Sequence, residues 1–119
     1  MIFNSLKEWK NKLVEYSRYP EVYVIVEGKN DIKTLSNLGV KNLYSLKGKR
    51  FYDVVEDLEY CKLCILLLDL DKQGEKIFNK LKFILEREGI PVEISFREYL
   101  KNFNIKEIEN LPIEELNDC

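Results

Sequence analysis

Apolar residues fall into short continuous runs separated by stretches with helical periodicity. Continuous runs predict strands that are buried on both faces, and the clearest are residues 22–26 and 63–68. Shorter runs predict two more strands, at residues 42–46 and 91–94. Strands that alternate with helices are typical of a parallel sheet with right-handed crossovers.

Amphipathic stretches around these strands predict the helices. The first, over residues 5–17, begins at Ser5 with Glu8 three positions later, which is the spacing of a capping box. Similar stretches end near Gly39, Tyr60 and Gly89. The apolar stripe of the first helix consists of Leu6, Trp9, Leu13 and Tyr16.

The predicted fold class is α/β: a single-domain, Rossmann-like three-layer sandwich with extra N- and C-terminal helices. Its four-stranded parallel sheet has the predicted order 2-1-3-4. We expect one domain over residues 1–119, with a core at about 22–94 and a C-terminal helical tail at about 95–119. Ser95 and Glu98 predict a second capping box at the start of this tail.

Two acidic segments follow the two most apolar strands. EGKND (27–31) follows the first strand, and DLDKQG (69–74) follows the third. In the order 2-1-3-4 these strands are neighbours, so their carboxyl ends bring Glu27 beside Asp69 and Asp71, where open α/β sheets bind ligands. Converging carboxylates repel one another unless a divalent cation neutralises them. The pattern therefore predicts a Mg²⁺ site.

The ordered pair of motifs, Glu-Gly-x-x-Asp after one strand and Asp-x-Asp-x-x-Gly after another, resembles the TOPRIM domain. Topoisomerases, primases and several nucleases share this domain. The resemblance covers about residues 22–94. The phrases VEGK (26–29) and DKQGE (71–75) look most like the small free-standing members that are similar to ribosomal RNA maturase-type nucleases.

The resemblance implies roles for individual residues. Glu27 matches the general acid or base, and Asp69 and Asp71 match the catalytic aspartates that hold Mg²⁺, for which Mn²⁺ is a possible substitute. Glu27 also belongs to the expected metal-binding set. Two glycines that keep the backbone close to the site, and a further acid near the metal, complete the match: Gly28, Gly74 and Asp31.

A simpler interpretation is that Asp69 and Asp71 only cap the next helix and that Glu27 is solvated. That interpretation does not explain why three acids occupy two adjacent strand ends.

Basic residues near the same edge of the sheet are candidates for binding nucleic acid. They could contact phosphates that flank the site, although a solvated lysine-rich loop is an equal alternative. The glycine-lysine pairs among them lack the spacing and the following Ser or Thr of a P-loop. The candidate residues are Lys29, Lys47, Lys49, Arg50 and Lys72.

Composition narrows the chemistry. The absence of histidine excludes Ser-His-Asp and Cys-His catalysis and HExxH zinc sites. A net charge of −2 argues against a protein that coats nucleic acid generally.

Cys61 and Cys64 have CxxC spacing but too few further zinc ligands, so we expect core thiols. No apolar run is long enough to cross a membrane and the start lacks the order of a secretory signal, so we expect a cytoplasmic protein.

These observations favour Mg²⁺-dependent phosphodiester chemistry, most simply by a small nuclease acting on RNA or DNA. The alternative is a non-catalytic TOPRIM module that binds metal and nucleic acid in a larger complex. A phosphoacceptor receiver domain fits less well, because it needs a fifth strand that ends in lysine. A dehalogenase-like phosphatase would carry Asp-x-Asp on its first strand.

Overall fold

The computed structural model describes residues 1–118; Cys119, the last residue of the predicted tail, lies outside them. A parallel sheet of four strands has the order β2-β1-β3-β4. This confirms the α/β class and the predicted strand order. The strands are β1 (Val22–Val26), β2 (Leu43–Ser45), β3 (Leu63–Leu66) and β4 (Val92–Glu93).

Helices cover both faces of the sheet. In the range 1–118, none is both long and apolar enough to cross a lipid bilayer. The helical elements are α1 (Leu6–Ser17), α2 (Lys29–Asn37), α3 (Phe51–Asp57), α4 (Lys72–Arg87), α5 (Ser95–Leu100), a 3₁₀ turn (Ile108–Asn110) and α6 (Ile113–Asn117).

Alternation along the central strands divides the core into two layers. Val24 and Ile65 face one side of the sheet, where they pack with α1, α2, α5 and α6. Ile25 and Leu66 face the other side, where they pack with α3 and α4. Successive side chains of a strand point to opposite faces, so a continuous apolar run is required for both layers. The central strands therefore have no solvent-facing side.

Within residues 1–118, Cys61 and Cys64 are free thiols, and both are buried in the layer of α3 and α4, as expected for core thiols. Their Sγ atoms lie 3.0 Å apart.

The second predicted capping box is wrong. Ser95 is the first residue of α5, and Ile94 precedes the helix in the capping position. The backbone N–H and the hydroxyl of Ser95 both donate to the carboxylate of Glu93. Helix α5 begins one residue earlier than the capping box requires, and the Glu98 backbone N–H donates to the Ile94 carbonyl at 3.0 Å rather than to the Ser95 hydroxyl.

Two hydrogen bonds hold the N-terminal half of helix α1 in place. At its start, the Ser5 hydroxyl accepts the Glu8 backbone N–H at 3.1 Å, which is the N-terminal half of the predicted capping box. Trp9 is completely buried, and its Nε1–H donates to the Phe96 carbonyl at 2.8 Å. This bond ties α1 to α5 across one core layer.

We predict that Trp9→Phe lowers the free energy of unfolding by roughly 1–3 kcal/mol, because it leaves the buried Phe96 carbonyl without its donor. Urea denaturation followed by circular dichroism measures this change. Tyr52→Phe is the control, since Tyr52 is 76% exposed. Equal stabilities of the two variants would contradict the proposed anchor.

Candidate active site

The strand-end loops are shaped by short local hydrogen bonds. After β1, the backbone N–H of Gly28 donates to Asp31 Oδ2 at 3.1 Å, which folds the buried Asp31 carboxylate back over the first turn of α2. After β3, the Gly74 N–H donates to Asp71 Oδ1 at 2.7 Å, so Asp71 is the N-cap of α4. Both loops therefore end in a capped helix, which limits how far the acids can move.

Glu27 and Asp69 meet across the two central strands. The backbone N–H of Asp69 donates to Glu27 Oε2 at 3.0 Å, and Asp69 Oδ1 accepts the Ile108 N–H at 2.9 Å. Within residues 1–118, the second oxygen of each of these carboxylates accepts no hydrogen bond. Each acid is thus oriented by one oxygen and retains the other for a ligand.

These acids line a recess of about 360 Å³, which we call the acidic recess. It brings together the predicted residues Glu27, Asp31 and Asp69 with two of the predicted cations. It also contains Glu109, from the 3₁₀ turn in the tail, which the sequence motifs did not indicate. The lining residues are Glu27, Gly28, Lys29, Asn30, Asp31, Lys47, Asp69 and Glu109.

Burial and mutual repulsion raise the pKa values of these acids. For Asp69, burial raises the pKa to about 7; the Ile108 N–H opposes the shift, and the charges of Glu27, Asp31 and Asp71 add to it. Burial also raises the pKa of Glu27, against the lowering effect of the Asp69 N–H. The recess therefore holds carboxylates that are costly to ionise together, which is the condition that a bound cation relieves.

Asp71 has a different position from the other predicted acids. It is not among the lining residues of the acidic recess, and one of its oxygens caps α4. The simpler interpretation, a helix cap, thus describes one observed contact of Asp71. Its charge still reaches the site, because it raises the pKa values of Glu27 and Asp69.

The two predicted glycines differ in their steric surroundings. A Cβ atom at Gly74 would lie 2.2 Å from the Asp69 carbonyl oxygen, so a larger residue would displace the Asp69–Asp71 loop. A Cβ atom at Gly28 would meet no atom within 4 Å. Close backbone approach thus requires glycine at Gly74, whereas no such contact requires it at Gly28.

The predicted cations are spread over a wider surface than the acids. Lys29 and Lys47 line the acidic recess. Lys49 lies apart from it: its Nζ donates to the Ser45 carbonyl at 2.9 Å and sits 4.1 Å from the Tyr44 ring centroid. The remaining two are exposed at the starts of helices outside the acidic recess: Arg50 and Lys72.

A buried arginine that the motifs did not indicate braces the loop. Arg97 is completely buried. Its Nε–H donates to the Leu68 carbonyl at 3.0 Å, and its Nη2 donates to the Asp69 carbonyl at 2.7 Å and to Glu75 Oε2 at 2.9 Å. The guanidinium also lies 4.2 Å from the Phe78 ring centroid. Arg97 thereby fixes the backbone that carries Asp69.

The donor set suits Mg²⁺ without being a finished metal centre. Among residues 1–118, no three acidic, cysteine or histidine side chains are grouped so that they could hold a metal ion. Mg²⁺ is usually bound by one or two carboxylates, with water filling the other positions. The unengaged oxygens of Glu27 and Asp69 provide donors of the required type.

Comparison with known proteins shows the family to which the chain belongs. The family model for the Toprim domain matches residues 22–109. A UPF0292 protein from Methanosarcina acetivorans is 31% identical over 110 residues, covering 89% of this chain and 74% of that protein.

Two further proteins are similar to this chain. The structure of a putative protein from Aquifex aeolicus superposes with a TM-score of 0.85 at 44% identity, covering 92% of this chain and 100% of that one. DNA primase DnaG from Halobacterium salinarum is 31% identical over 77 residues, which is 58% of this chain but 19% of the primase.

We predict that Asp69→Asn makes the metal-free protein more stable above neutral pH. The folded state holds the Asp69 proton with a pKa of about 7, well above the ordinary aspartate pKa of 3.8. Between these two pKa values the folded state binds more protons than the unfolded state. The free energy of unfolding of the wild type therefore decreases as the pH rises from about 3.8 to about 7. Asparagine retains an acceptor for the Ile108 N–H but carries no charge.

Thermal unfolding in EDTA between about pH 5 and about pH 8 tests this linkage. The loss of stability with rising pH should be smaller for Asp69→Asn than for the wild type. Glu59→Gln, at an exposed position outside the site, should retain the wild-type slope. If stability fell equally steeply with pH in Asp69→Asn and in the wild type, the raised pKa of Asp69 would be contradicted.

We also predict that Arg97→Lys lowers the free energy of unfolding by roughly 1–3 kcal/mol, because an ammonium group cannot reproduce the planar set of donors. Glu75→Gln should cost less than about 1 kcal/mol, since the Glu75 side chain is 43% exposed. Urea denaturation of both variants measures the difference. A smaller effect for Arg97→Lys than for Glu75→Gln would refute the bracing role.

Proposed function

Since the chain belongs to the Toprim family, we propose that it uses Mg²⁺ to hydrolyse phosphodiester bonds in RNA or DNA. Family membership implies metal-dependent nucleic-acid chemistry or binding. The finer assignment rests on one observation: as far as residues 1–118 show, Glu27 and Asp69 each keep an oxygen free in a recess that also contains lysines. Opposite charges arranged in this way suit a cation and a phosphate together.

In this proposal, Asp69 would hold the metal, with Asp31 and Asp71 nearby, and Glu27 keeps Oε1 for proton transfer. The bound ion would stabilise negative charge on the phosphate and help to generate a nucleophile from water. The protein keeps the carboxylates in place through the Asp69 and Ile108 backbone N–H groups. These contacts reduce the reorganisation that the reaction requires.

Glu27 is the residue proposed to transfer the proton. Its pKa is raised by burial and by the nearby Asp71 and Asp31 charges, which favours proton exchange closer to neutral pH. Oε2 is occupied by the Asp69 N–H, so Oε1 is the oxygen proposed to exchange a proton with water or with the leaving oxygen. General acid–base catalysis of this kind contributes roughly 10²–10⁴-fold.

Lys29 and Lys47 are proposed to bind phosphates that flank the reacting one. They line the same recess as the acids, so they reduce the repulsion between a polyanionic strand and the carboxylates. Lys49, Arg50 and Lys72 are proposed to extend this contact along the strand. Their exposure allows them to track the backbone without recognising sequence.

A second candidate function is binding without catalysis, as a module in a larger complex. The observation in its favour is that, in the part of the chain that the structure describes, three potential metal ligands are not grouped in advance. Such a module would bind nucleic acid with Mg²⁺ and leave it intact. A cleavage assay separates the two functions.

We predict that Glu27→Gln reduces cleavage by roughly 10²–10⁴-fold. Glutamine retains the shape of the side chain and an acceptor for the Asp69 N–H, but it cannot transfer the proton. Cleavage rates on labelled single-stranded, duplex and hairpin RNA and DNA, with Mg²⁺ or Mn²⁺, provide the measurement.

Two controls make this test specific. Glu56→Gln, on the exposed side of α3, should cleave at the wild-type rate. Calorimetric titration with Mn²⁺ should show that Glu27→Gln retains most metal binding. A wild-type protein that binds these substrates but cleaves none of them would favour the binding module, and undiminished cleavage by Glu27→Gln would remove Glu27 from the mechanism.

A further inference from the structure

A second recess, of about 270 Å³, borders Glu27, and we call it the apolar recess. Four of its lining side chains are hydrophobic, and they come from the end of β2 and from α3 and α4. Glu27 and Lys47 line both recesses, so the two share a boundary. The lining residues are Glu27, Leu46, Lys47, Lys49, Phe51, Val54 and Ile77.

The apolar recess leaves hydrophobic surface accessible at a place where the surroundings are charged. Leu46, Phe51 and Ile77 pack against the core layer of α3 and α4 but are only partly buried. Concave apolar surface with a few polar groups at its edge is the usual character of a ligand site. Its position beside the acidic recess restricts which ligand would occupy it.

We propose that the apolar recess binds one unpaired nucleobase of the strand whose phosphate lies in the acidic recess. This inference rests on the proposed function and names its substrate class. A nucleotide joins a charged phosphate to a flat, largely apolar base through one sugar, so a ligand of this kind presents both chemistries side by side. At the boundary formed by Glu27 and Lys47, the acidic recess lies beside the apolar recess, just as the phosphate lies beside the base in a nucleotide.

The lining residues match the two chemical parts of a base. Phe51 offers an aromatic ring, and bases stack on aromatic side chains in proteins that bind single strands. Lys47 and Lys49 also line the recess, where they can approach the phosphates of the same strand. Its volume of about 270 Å³ lies just below the roughly 300–1,000 Å³ that is usual for pockets of drug-sized ligands, which suits a ligand as small as one base.

Base pairing would prevent this contact. A base in a duplex is stacked and paired, so it reaches a protein pocket only after it is extruded at a cost in free energy. The substrate class is therefore a nucleic acid with unpaired nucleotides at the reacting phosphate, such as a single strand, a loop or a frayed end. Regular duplex should bind more weakly.

Binding to chemically defined strands tests the proposal without relying on cleavage. The Glu27→Gln variant is used in the presence of Mg²⁺, so that the probe is not cleaved. The probes are a fluorescent strand of stable abasic nucleotides and the same strand with one central base, compared by fluorescence anisotropy. We expect the base to tighten binding about tenfold, which lies within the range for one stacked base.

Variants locate the contact. Phe51→Ala should bring the affinity ratio of the two probes close to one, and Ile77→Ala should reduce it. Phe83→Ala is the matched control, because Phe83 is 63% exposed on α4 and does not line the recess. Since the ratio is taken within each protein, a modest loss of stability in a variant affects both probes equally.

The outcomes distinguish this inference from the proposed function. Equal affinity for the two probes, or a full base preference in Phe51→Ala, would overturn the apolar recess as a base site even if the wild type cleaves nucleic acid. A base preference that depends on Phe51 would support the site even if the wild type cleaves nothing, in which case only the hydrolytic function fails.

Discussion

The site depends on the pairing of β1 with β3, which places two carboxylates side by side. Ile25 is in register with Leu66, and the Leu67 N–H continues the ladder to the Ile25 carbonyl at 2.9 Å. The segments that follow the two strands therefore lie side by side, and the Asp69 N–H donates to Glu27 Oε2 at 3.0 Å. Like charges are held together here by the free energy of burying the two central strands.

Holding these charges together requires compensation from the rest of the molecule. A backbone N–H group donates a hydrogen bond to one oxygen of Glu27 and to one oxygen of Asp69. Buried Arg97 donates to the carbonyls of Leu68 and Asp69. Arg97 also lowers the pKa of Glu27 slightly, as the least of the effects on that group. The pKa values of Glu27 and Asp69 nevertheless stay raised. The protein thus remains electrostatically strained at this one edge, as is common at sites that bind a cation.

The sequence predicted those features that depend on local pattern or on strand order. The apolar runs indicated the central strands, and their order brought Glu27 to Asp69 before any contact was known. Arg97 and Glu109 were missed, because both reach the site from the tail through contacts that span many residues and leave no local motif. Arg97 stands between Phe96 and Glu98 in the sequence, so its neighbours gave no sign that it is buried. The capping prediction at Ser95 failed because the helix begins at Ser95 rather than after it, so the Glu98 N–H donates to the Ile94 carbonyl.

Glu27 lies between the acidic recess and the apolar recess and lines both of them. On one side lie acids and lysines, and on the other lie Leu46, Phe51 and Ile77. Apolar side chains next to a charged group exclude water and strengthen its interactions, which agrees with burial as the main cause of the raised Glu27 pKa. If a base fills the apolar recess, it removes more water from Glu27 and raises that pKa further. Binding of the correct substrate would then itself prepare the residue for proton transfer.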